Sequence, residues 1–326
     1  MTRVHVVGAA GYAGGEFVRL AEHHPDLSLG ALESASHAGQ PLGAQVPALR
    51  RSGRSFDAPG TALDALQSGD VVVLAGTAAH ARESAARYLD AGARVIDLSD
   101  AFRLQADAGE AVYGLPERYR DAISRARFIA NPGCYPTATL LALLPLAAFA
   151  DDVVQLIVDA KSGVTGAGRS PKTGSLFAEV VGDVHAYGLD GHRHQREIEQ
   201  ELRAVGLDAP LVFTPHVVPL RRGILADCYA LCARQLDDDE LAAAYARAYA
   251  SSPFVRVLDS GRAPSLPALA GTNFVELNVA RRGLVVRIVA GIDNLGKGAA
   301  GQALQNLNLM LGFPEERGLD DRAVAL

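Results

Sequence analysis

The stretch Val4-His5-Val6-Val7-Gly8-Ala9-Ala10-Gly11-Tyr12-Ala13-Gly14 decides the fold. A short apolar run, Val4–Val7, reads as a strand and leads straight into three glycines spaced G-x-x-G-x-x-G. Glu16–Glu22 then reads as a helix. A strand that turns sharply into a helix needs residues without a Cβ at the turn. The N-terminus of such a helix offers unpaired N–H groups and a partial positive charge to an anion. At the first strand–helix junction this pattern predicts a turn that holds the diphosphate of a dinucleotide. The plain alternative is a tight turn with no ligand.

Working outward, Leu27–Leu32, Val71–Leu74, Arg94–Leu98 and Arg127–Ala130 read as further short strands, and Ala79–Leu89 as a helix between two of them. Continuous apolar runs such as Val71–Leu74 are typical of strands buried on both faces. The βαβ alternation predicts an α/β domain, a parallel sheet with helices on both sides. At the end of the second strand Glu33 is placed to meet a ribose 2′-hydroxyl, whereas Ser34 and Ser36 are placed to donate to a 2′-phosphate. No arginine follows before Arg50, so the residues alone leave NAD and NADP open.

After Cys134 the pattern changes. Tyr135–Leu146 reads as a helix, with Pro136 in its first turn where proline is tolerated. Val153–Ala160 reads as a strand, Lys161 to Ser175 as an ordered Gly- and Ser-rich loop, and Gln195–Val205 as a charged helix. Leu211–Thr214, Gly223–Ala233, Asn273–Ala280 and Leu284–Ala290 read as strands, with a helix at Asp238–Ala250. Strands following one another in this way predict an α+β domain with a mixed, mainly antiparallel sheet. A last helix spans about Gly298–Leu311, and the tail beyond Pro314 reads as peripheral. The expected division is residues 1–133 with 298–326 as the nucleotide-binding domain, and 134–297 as a catalytic and oligomerisation domain.

The 326 residues suit two domains, with 49% hydrophobic and 21% charged residues and a net charge of -6. This balance speaks against nucleic acid or an anionic membrane as partner. The three cysteines, Cys134, Cys228 and Cys232, match no disulfide framework and no zinc motif, so no metal and a reducing cytoplasmic compartment are expected. The N-terminus lacks the pattern of a signal peptide, and the apolar stretch Leu140–Phe149 is about half of what a bilayer span needs.

Cys134 lies between a predicted strand and a predicted helix, in Asn131-Pro132-Gly133-Cys134-Tyr135-Pro136-Thr137-Ala138. The dipole of a helix favours an anion at its N-terminus, and thiolate is the nucleophilic form of cysteine. A free cysteine is most often a small buried hydrophobe. That reading suits Cys228 and Cys232 in their strand-like run, while the position of Cys134 favours a reactive thiol. Arg103, Ser162, Gly163 and Arg169 are candidates for holding anionic groups, because arginine's fork and a glycine-rich run of backbone N–H groups both suit oxyanions.

Six ordered motifs carry a resemblance: Gly8–Gly14; Asn131–Ala138; Ser162-Gly163-Val164-Thr165-Gly166-Ala167-Gly168-Arg169; His192-Arg193-His194-Gln195-Arg196-Glu197-Ile198; Thr214-Pro215-His216-Val217-Val218-Pro219; and Asp293-Asn294-Leu295-Gly296-Lys297-Gly298-Ala299-Ala300-Gly301-Gln302. From about residue 3 to residue 313 the chain resembles the N-acetyl-gamma-glutamyl-phosphate reductases, relatives of aspartate-semialdehyde dehydrogenase. The resemblance implies a Rossmann-type domain, NADP(H) as cofactor, a role in arginine biosynthesis and a homodimer or homotetramer. It implies attack of Cys134 on an acyl phosphate, a thioester, and reduction to the semialdehyde. It places the second catalytic residue on His194, with Glu197 three residues later to orient the ring, and substrate contacts on Arg103, Ser162, Gly163, Arg169 and His192. Cofactor contacts fall on Gly8, Ala10, Gly11, Tyr12, Ala13, Gly14, Ser34, Ser36, Gly76, Ser99, Asn294, Lys297 and Gly298. Without the resemblance, His192–Arg196 is equally a charged surface, and Asn294–Gly298 equally the cap region of a helix.

The chain departs from the family pattern at three places. Gly76-Thr77-Ala78-Ala79 stands where Leu-Pro-His-Gly is usual, Asp100-Ala101 exchanges a usual pair, and Ala35 stands at a commonly basic position. All three bear on cofactor contacts. Two other functions remain as alternatives: the same chemistry on an aminoadipyl phosphate carried by a small protein, and a dinucleotide-binding sensor without catalysis. The first needs a basic docking surface, and the second has no use for Cys134 or His194.

Overall fold

The computed structural model describes residues 1–170 and 173–319. Pro171, Lys172 and residues 320–326, the last of which belong to the expected first domain, lie outside the described residues. Among the described residues the chain divides into two compact units, 1–133 with 299–319, and 134–298.

In the first unit the elements are β1 (Thr2–Val7), α1 (Tyr12–Ala21), β2 (Leu27–Glu33), β3 (Val71–Leu74), α2 (Ala78–Asp90), β4 (Arg94–Asp97), β5 (Val112–Tyr113), α3 (Pro116–Arg125) and β6 (Phe128–Ala130). The six strands form one parallel sheet in the order β2-β1-β3-β4-β6-β5. Val71, Val73 and Ile96 pack into one core with Phe17 of α1, while Val72, Leu74 and Val95 pack into another with Ala81, Ala85 and Tyr88 of α2. Both faces of the sheet are therefore covered, which is why the central strand β3, Val71–Leu74, is apolar at every position. The two-residue β5 and the helix α3, kinked at Tyr119, were not legible as periodic segments.

The second unit opens with α4 (Cys134–Leu143), in which every residue from Tyr135 to Leu143 is buried. A helix apolar all round belongs inside a core. The expected helix to Leu146 stops at Leu143 and continues as 3₁₀ turns to Asp152. Pro145 has no N–H for the carbonyl of Leu141. Tyr249 donates its hydroxyl to that carbonyl instead, and Tyr245 donates to Ala142 at 2.5 Å. Cys134–Asp152 is, among the described residues, the one helical stretch long and apolar enough to cross a membrane. Two-thirds of it is buried inside the protein, as in a core helix.

Then come β7 (Val153–Gly163), β8 (His185–Ala186), α5 (Arg193–Arg203), β9 (Leu211–Val218), β10 (Ile224–Cys232), α6 (Asp238–Tyr249), β11 (Val255–Val257), β12 (Val275–Arg282) and β13 (Val285–Ile292). They form a seven-stranded mixed sheet in the order β11-β12-β13-β10-β7-β9-β8, with β7–β9 and β11–β12 parallel. β7 runs three residues past the expected end, into the anticipated loop. Ser162 pairs with Ile224 of β10 and Gly163 with Val218 of β9, so both neighbours extend the strand. Cys228 and Cys232 are buried in β10, and burial pushes both thiols up, Cys232's upward and Cys228's well out of the reactive range.

The final helix, α7 (Gly301–Leu311), returns to the first unit, where it packs against α1 and α3. Gly298, expected with that unit, belongs to the second because its backbone packs on Cys134. The start of the tail is not peripheral. Glu315 is buried, accepts from Gln305 at 2.9 Å and pairs with Arg120 at 2.6 Å.

The glycine turn separates packing from binding. Gly8 has φ +87°, and a Cβ there would lie 2.8 Å from the carbonyl group of Ala75. A Cβ on Gly14 would lie 2.3 Å from the Gly8 oxygen, whereas one on Gly11 meets nothing closer than 3.4 Å. Gly14→Ala is expected to destabilise the protein by about 1–3 kcal/mol, the range for overpacking. Gly11→Ala is expected to keep the melting temperature and weaken dinucleotide binding. Thermal melts and nucleotide titrations of the two variants check this.

Candidate active site

Within the second unit a cavity of about 420 Å³ is lined by Cys134, Tyr135, Ser162, Gly163, Tyr187, His192, Arg193 and His194, among others. Cys134 is the first residue of α4 and half-buried. The backbone of Gly298 closes one side of it. A Cβ on Gly298 would stand 2.8 Å from the Cys134 Cβ.

The turn that carries Gly298 is built around Asp293, which is fully buried. Its Oδ1 accepts from the amides of Leu295 at 2.8 Å and Gly296 at 3.2 Å, and from Arg222 Nε at 3.1 Å. Its Oδ2 takes Arg222 Nη2 at 2.8 Å and the amide of Gly271. Its main-chain oxygen accepts the amide of Gly298 at 2.9 Å. A buried carboxylate is stable only when so surrounded by donors. The next residue, Asn294, accepts from the Gly223 amide at 2.7 Å and donates to Thr165 Oγ1 at 2.9 Å. It therefore ties three loops together, and Lys297 beside it is fully buried.

α5 begins at the cavity. His192 is its N-cap, and its Nδ1 accepts the amide of His194 at 3.1 Å. That bond requires an unprotonated Nδ1, which leaves the ring proton on Nε2. Burial, reinforced by the charge of Arg193, holds His192 below the usual imidazole range. The His194 ring is buried, 4.7 Å from the His192 ring and 5.8 Å from that of Tyr135. Glu197, one turn further on the same helix, is also buried.

Tyr135 donates its hydroxyl to the His216 carbonyl at 2.9 Å, and Tyr187 donates to the Tyr135 hydroxyl at 3.5 Å. Burial pushes both phenols up, so both stay neutral. Ser162 is buried at the end of β7, where its hydroxyl donates to the Gly163 carbonyl at 3.1 Å. Arg169 is exposed and outside the lining, on the chain after a short 3₁₀ turn. The cavity thus joins a thiol at a helix start, two imidazoles and a neutral phenol pair.

In the first unit, the expected cofactor residues Gly8, Ala10, Gly11, Tyr12, Ala13 and Gly14 form the turn from β1 into α1. Gly76 follows β3, against the Gly8 backbone. Glu33 is buried, its Oε1 accepts the Ala62 amide at 2.6 Å, and its carbonyl accepts the amides of Gly8 and Ala9. Ser34 Oγ accepts the His37 amide at 3.2 Å, while Ser36 is exposed. Ser99 donates to Asp97 at 2.7 Å. Arg103 is buried and donates to the carbonyls of Asn131 at 2.8 Å and Leu98 at 2.9 Å. The side chain of Asn131 is held by Asn306 at 3.0 Å, and Asn306 also donates to the Gly114 carbonyl at 2.8 Å.

Tyr135, Tyr187, Arg193 and His185 are among the lining residues that the sequence did not single out. Tyr135 and Arg193 sit inside motifs already quoted. Tyr187 follows a two-residue strand that carries no periodic signal.

A semialdehyde dehydrogenase NAD binding domain matches residues 3–126, and a semialdehyde dehydrogenase dimerisation domain matches residues 134–294. Curated proteins named N-acetyl-gamma-glutamyl-phosphate reductase are similar over nearly the whole chain. The one from Moorella thermoacetica is 41% identical, with 98% of each chain covered. The one from Acidithiobacillus ferrooxidans is 44% identical with the same coverage. The chain belongs to the N-acetyl-gamma-glutamyl-phosphate reductase family. Solved structures agree in fold with this family member. Aspartate semialdehyde dehydrogenase II from Vibrio cholerae, complexed with ASA, superposes with a TM-score of 0.75 at 17% identity, covering 96% of this chain and 98% of that one. A probable aspartate-semialdehyde dehydrogenase from Pseudomonas aeruginosa gives 0.73 at 24%, covering 95% and 98%.

The contact between Gly298 and Cys134 yields a test in this family member. Gly298→Ala is expected to displace the thiol and lower kcat about 10- to 100-fold, as misplacements near 1 Å do, while the fold survives. Steady-state kinetics beside a thermal melt checks it, and an unchanged kcat contradicts the positioning argument.

Proposed function

We propose that the chain reduces N-acetyl-L-glutamyl 5-phosphate to N-acetyl-L-glutamate 5-semialdehyde with NADPH, releasing phosphate, in arginine biosynthesis. The observation that carries this reading is a half-buried thiol at the start of α4, in one cavity with His194. The names of full-length relatives at 41–44% identity support the substrate.

In this reading the Cys134 thiolate attacks the acyl carbon. The carbon–sulfur bond forms, the bond to the phosphate oxygen breaks, and phosphate leaves with its electron pair. Covalent capture divides one difficult displacement into two easier steps. When bound, the reduced nicotinamide supplies the hydride that reduces the thioester. His194 gives a proton to the tetrahedral oxygen and removes it as the carbon–sulfur bond breaks, a task suited to an imidazole near neutral pH. Glu197 orients the His194 ring, and neutral His192 keeps the helix start in place. Ser162, Gly163 and Arg169 serve the substrate's anionic groups. Arg103 acts by holding the Asn131 carbonyl in the segment leading to Cys134.

The first unit fits a dinucleotide, because Gly11 leaves open the side where a diphosphate would approach the backbone. Gly8 to Gly14, Gly76 and Ser99 are its contacts, with Asn294, Lys297 and Gly298 serving the nicotinamide end. Glu33 is committed to the Ala62 amide, which supports Ser34 and Ser36, and hence NADP, over an acidic contact to a free ribose. The domains in this reading are residues 1–133 with the last helix for the nucleotide, and the remainder for catalysis and oligomerisation. Ile157 and Val212 stand exposed on the second sheet in register with Tyr229, and Leu231, two residues further along β10, is exposed on the same face. That apolar face suits a second copy of the chain, giving a cytoplasmic homo-oligomer.

Cys134→Ser, assayed with NADPH and NADH, tests the proposal. Reductase activity is expected to fall at least ~10³-fold, as for loss of other covalent nucleophiles, while NADPH binding persists. A variant retaining wild-type turnover overturns the reading. Wild-type turnover of only a carrier-bound aminoadipyl phosphate would replace the substrate.

A further inference from the structure

Resting on that reading of the reaction, we propose that Arg193 binds the α-carboxylate of the substrate and so selects an amino-acid-derived acyl phosphate. The substrate carries two anions, and they must be held apart. The phosphate leaves from the carbon that Cys134 attacks, so its site lies at the thiol. The carboxylate sits beyond two methylenes and needs a cation of its own.

Among the described residues lining the cavity, Arg193 is the one with a permanent positive charge. His192 is held neutral by burial, and His185 faces Asp183 at 2.7 Å. Arg193 is the first residue of α5 and exposed, so its side chain is not part of the core. Its charge acts on Tyr187 and His192, whose rings are 5.4 Å apart in the cavity wall. The thiol acts on Tyr135 and Tyr187, whose hydroxyls are 3.5 Å apart. Tyr187 is therefore the common neighbour of the thiol and of Arg193, and all three line the same cavity. A guanidinium there offers a fork of donors matched to a carboxylate.

The reverse reaction separates the two anions, because inorganic phosphate and N-acetyl-L-glutamate 5-semialdehyde are then independent substrates. Arg193→Ala and Arg193→Lys are compared with wild type, with thermal melts confirming the fold. Arg193→Ala is expected to raise KM for the semialdehyde about 10- to 100-fold, the worth of a charged hydrogen-bonded pair, and to leave KM for phosphate within about twofold. Arg193→Lys is expected to recover only part of the loss. A rise in KM for phosphate instead, an equal rise in both, or no change overturns the assignment. If wild type itself fails to turn over the semialdehyde, the underlying functional reading fails, and this is seen before any variant is measured.

Discussion

The carbon that bears the thiol of Cys134 has main chain packed against it. The Gly298 backbone leaves no room for a methyl group beside the Cys134 Cβ. Gly298 in turn hangs on Asp293, whose carboxylate gathers three amides and both arms of Arg222. Backbone and a buried ion pair move less than flexible side chains, so the thiol keeps one place relative to the cavity wall. The helix it begins is equally constrained. α4 is buried on every side, and where Pro145 removes a donor, tyrosine hydroxyls from α6 take its carbonyls. Breaking a pair such as Asp293–Arg222 by removing one partner leaves a buried charge uncompensated, at a cost of about 3–5 kcal/mol.

The two units divide the physical work. The first supplies a turn whose glycines have separate duties: Gly8 and Gly14 allow backbone to pack on backbone, and Gly11 leaves a side open. The second supplies a wall of neutral aromatic and imidazole groups around a thiol. Burial keeps Tyr135, Tyr187 and His192 uncharged.

Much of this was legible in the sequence where chemistry and local geometry coincide. The glycine turn, the strand Val71–Leu74 and the cysteine at a strand–helix boundary each follow from spacing and composition. Ser162, Gly163, His192 and His194 came from ordered motifs, and they meet Cys134 in one cavity. Periodicity was silent on β5 and β8, two-residue strands defined by their neighbours rather than by their own residues. Tyr187 was missed for that reason. Leu143 as the end of α4, and β7 running on to Gly163, depend on a proline's absent donor and on pairing from both sides. Neither reads out of a linear pattern. Arg103 donates to the carbonyls of Asn131 and Leu98, and Asn294 bonds the Gly223 amide and Thr165, contacts between distant parts of the chain that no linear pattern reveals.

Acylation of one sulfur is the claim from which the chemistry follows. Intact-protein mass spectrometry, with peptide mapping, of enzyme mixed with N-acetyl-L-glutamyl 5-phosphate and no nucleotide tests it most directly. An N-acetylglutamyl adduct confined to Cys134, discharged when NADPH is added, is the expected result. Unmodified protein that nevertheless forms semialdehyde once NADPH is present would contradict the account.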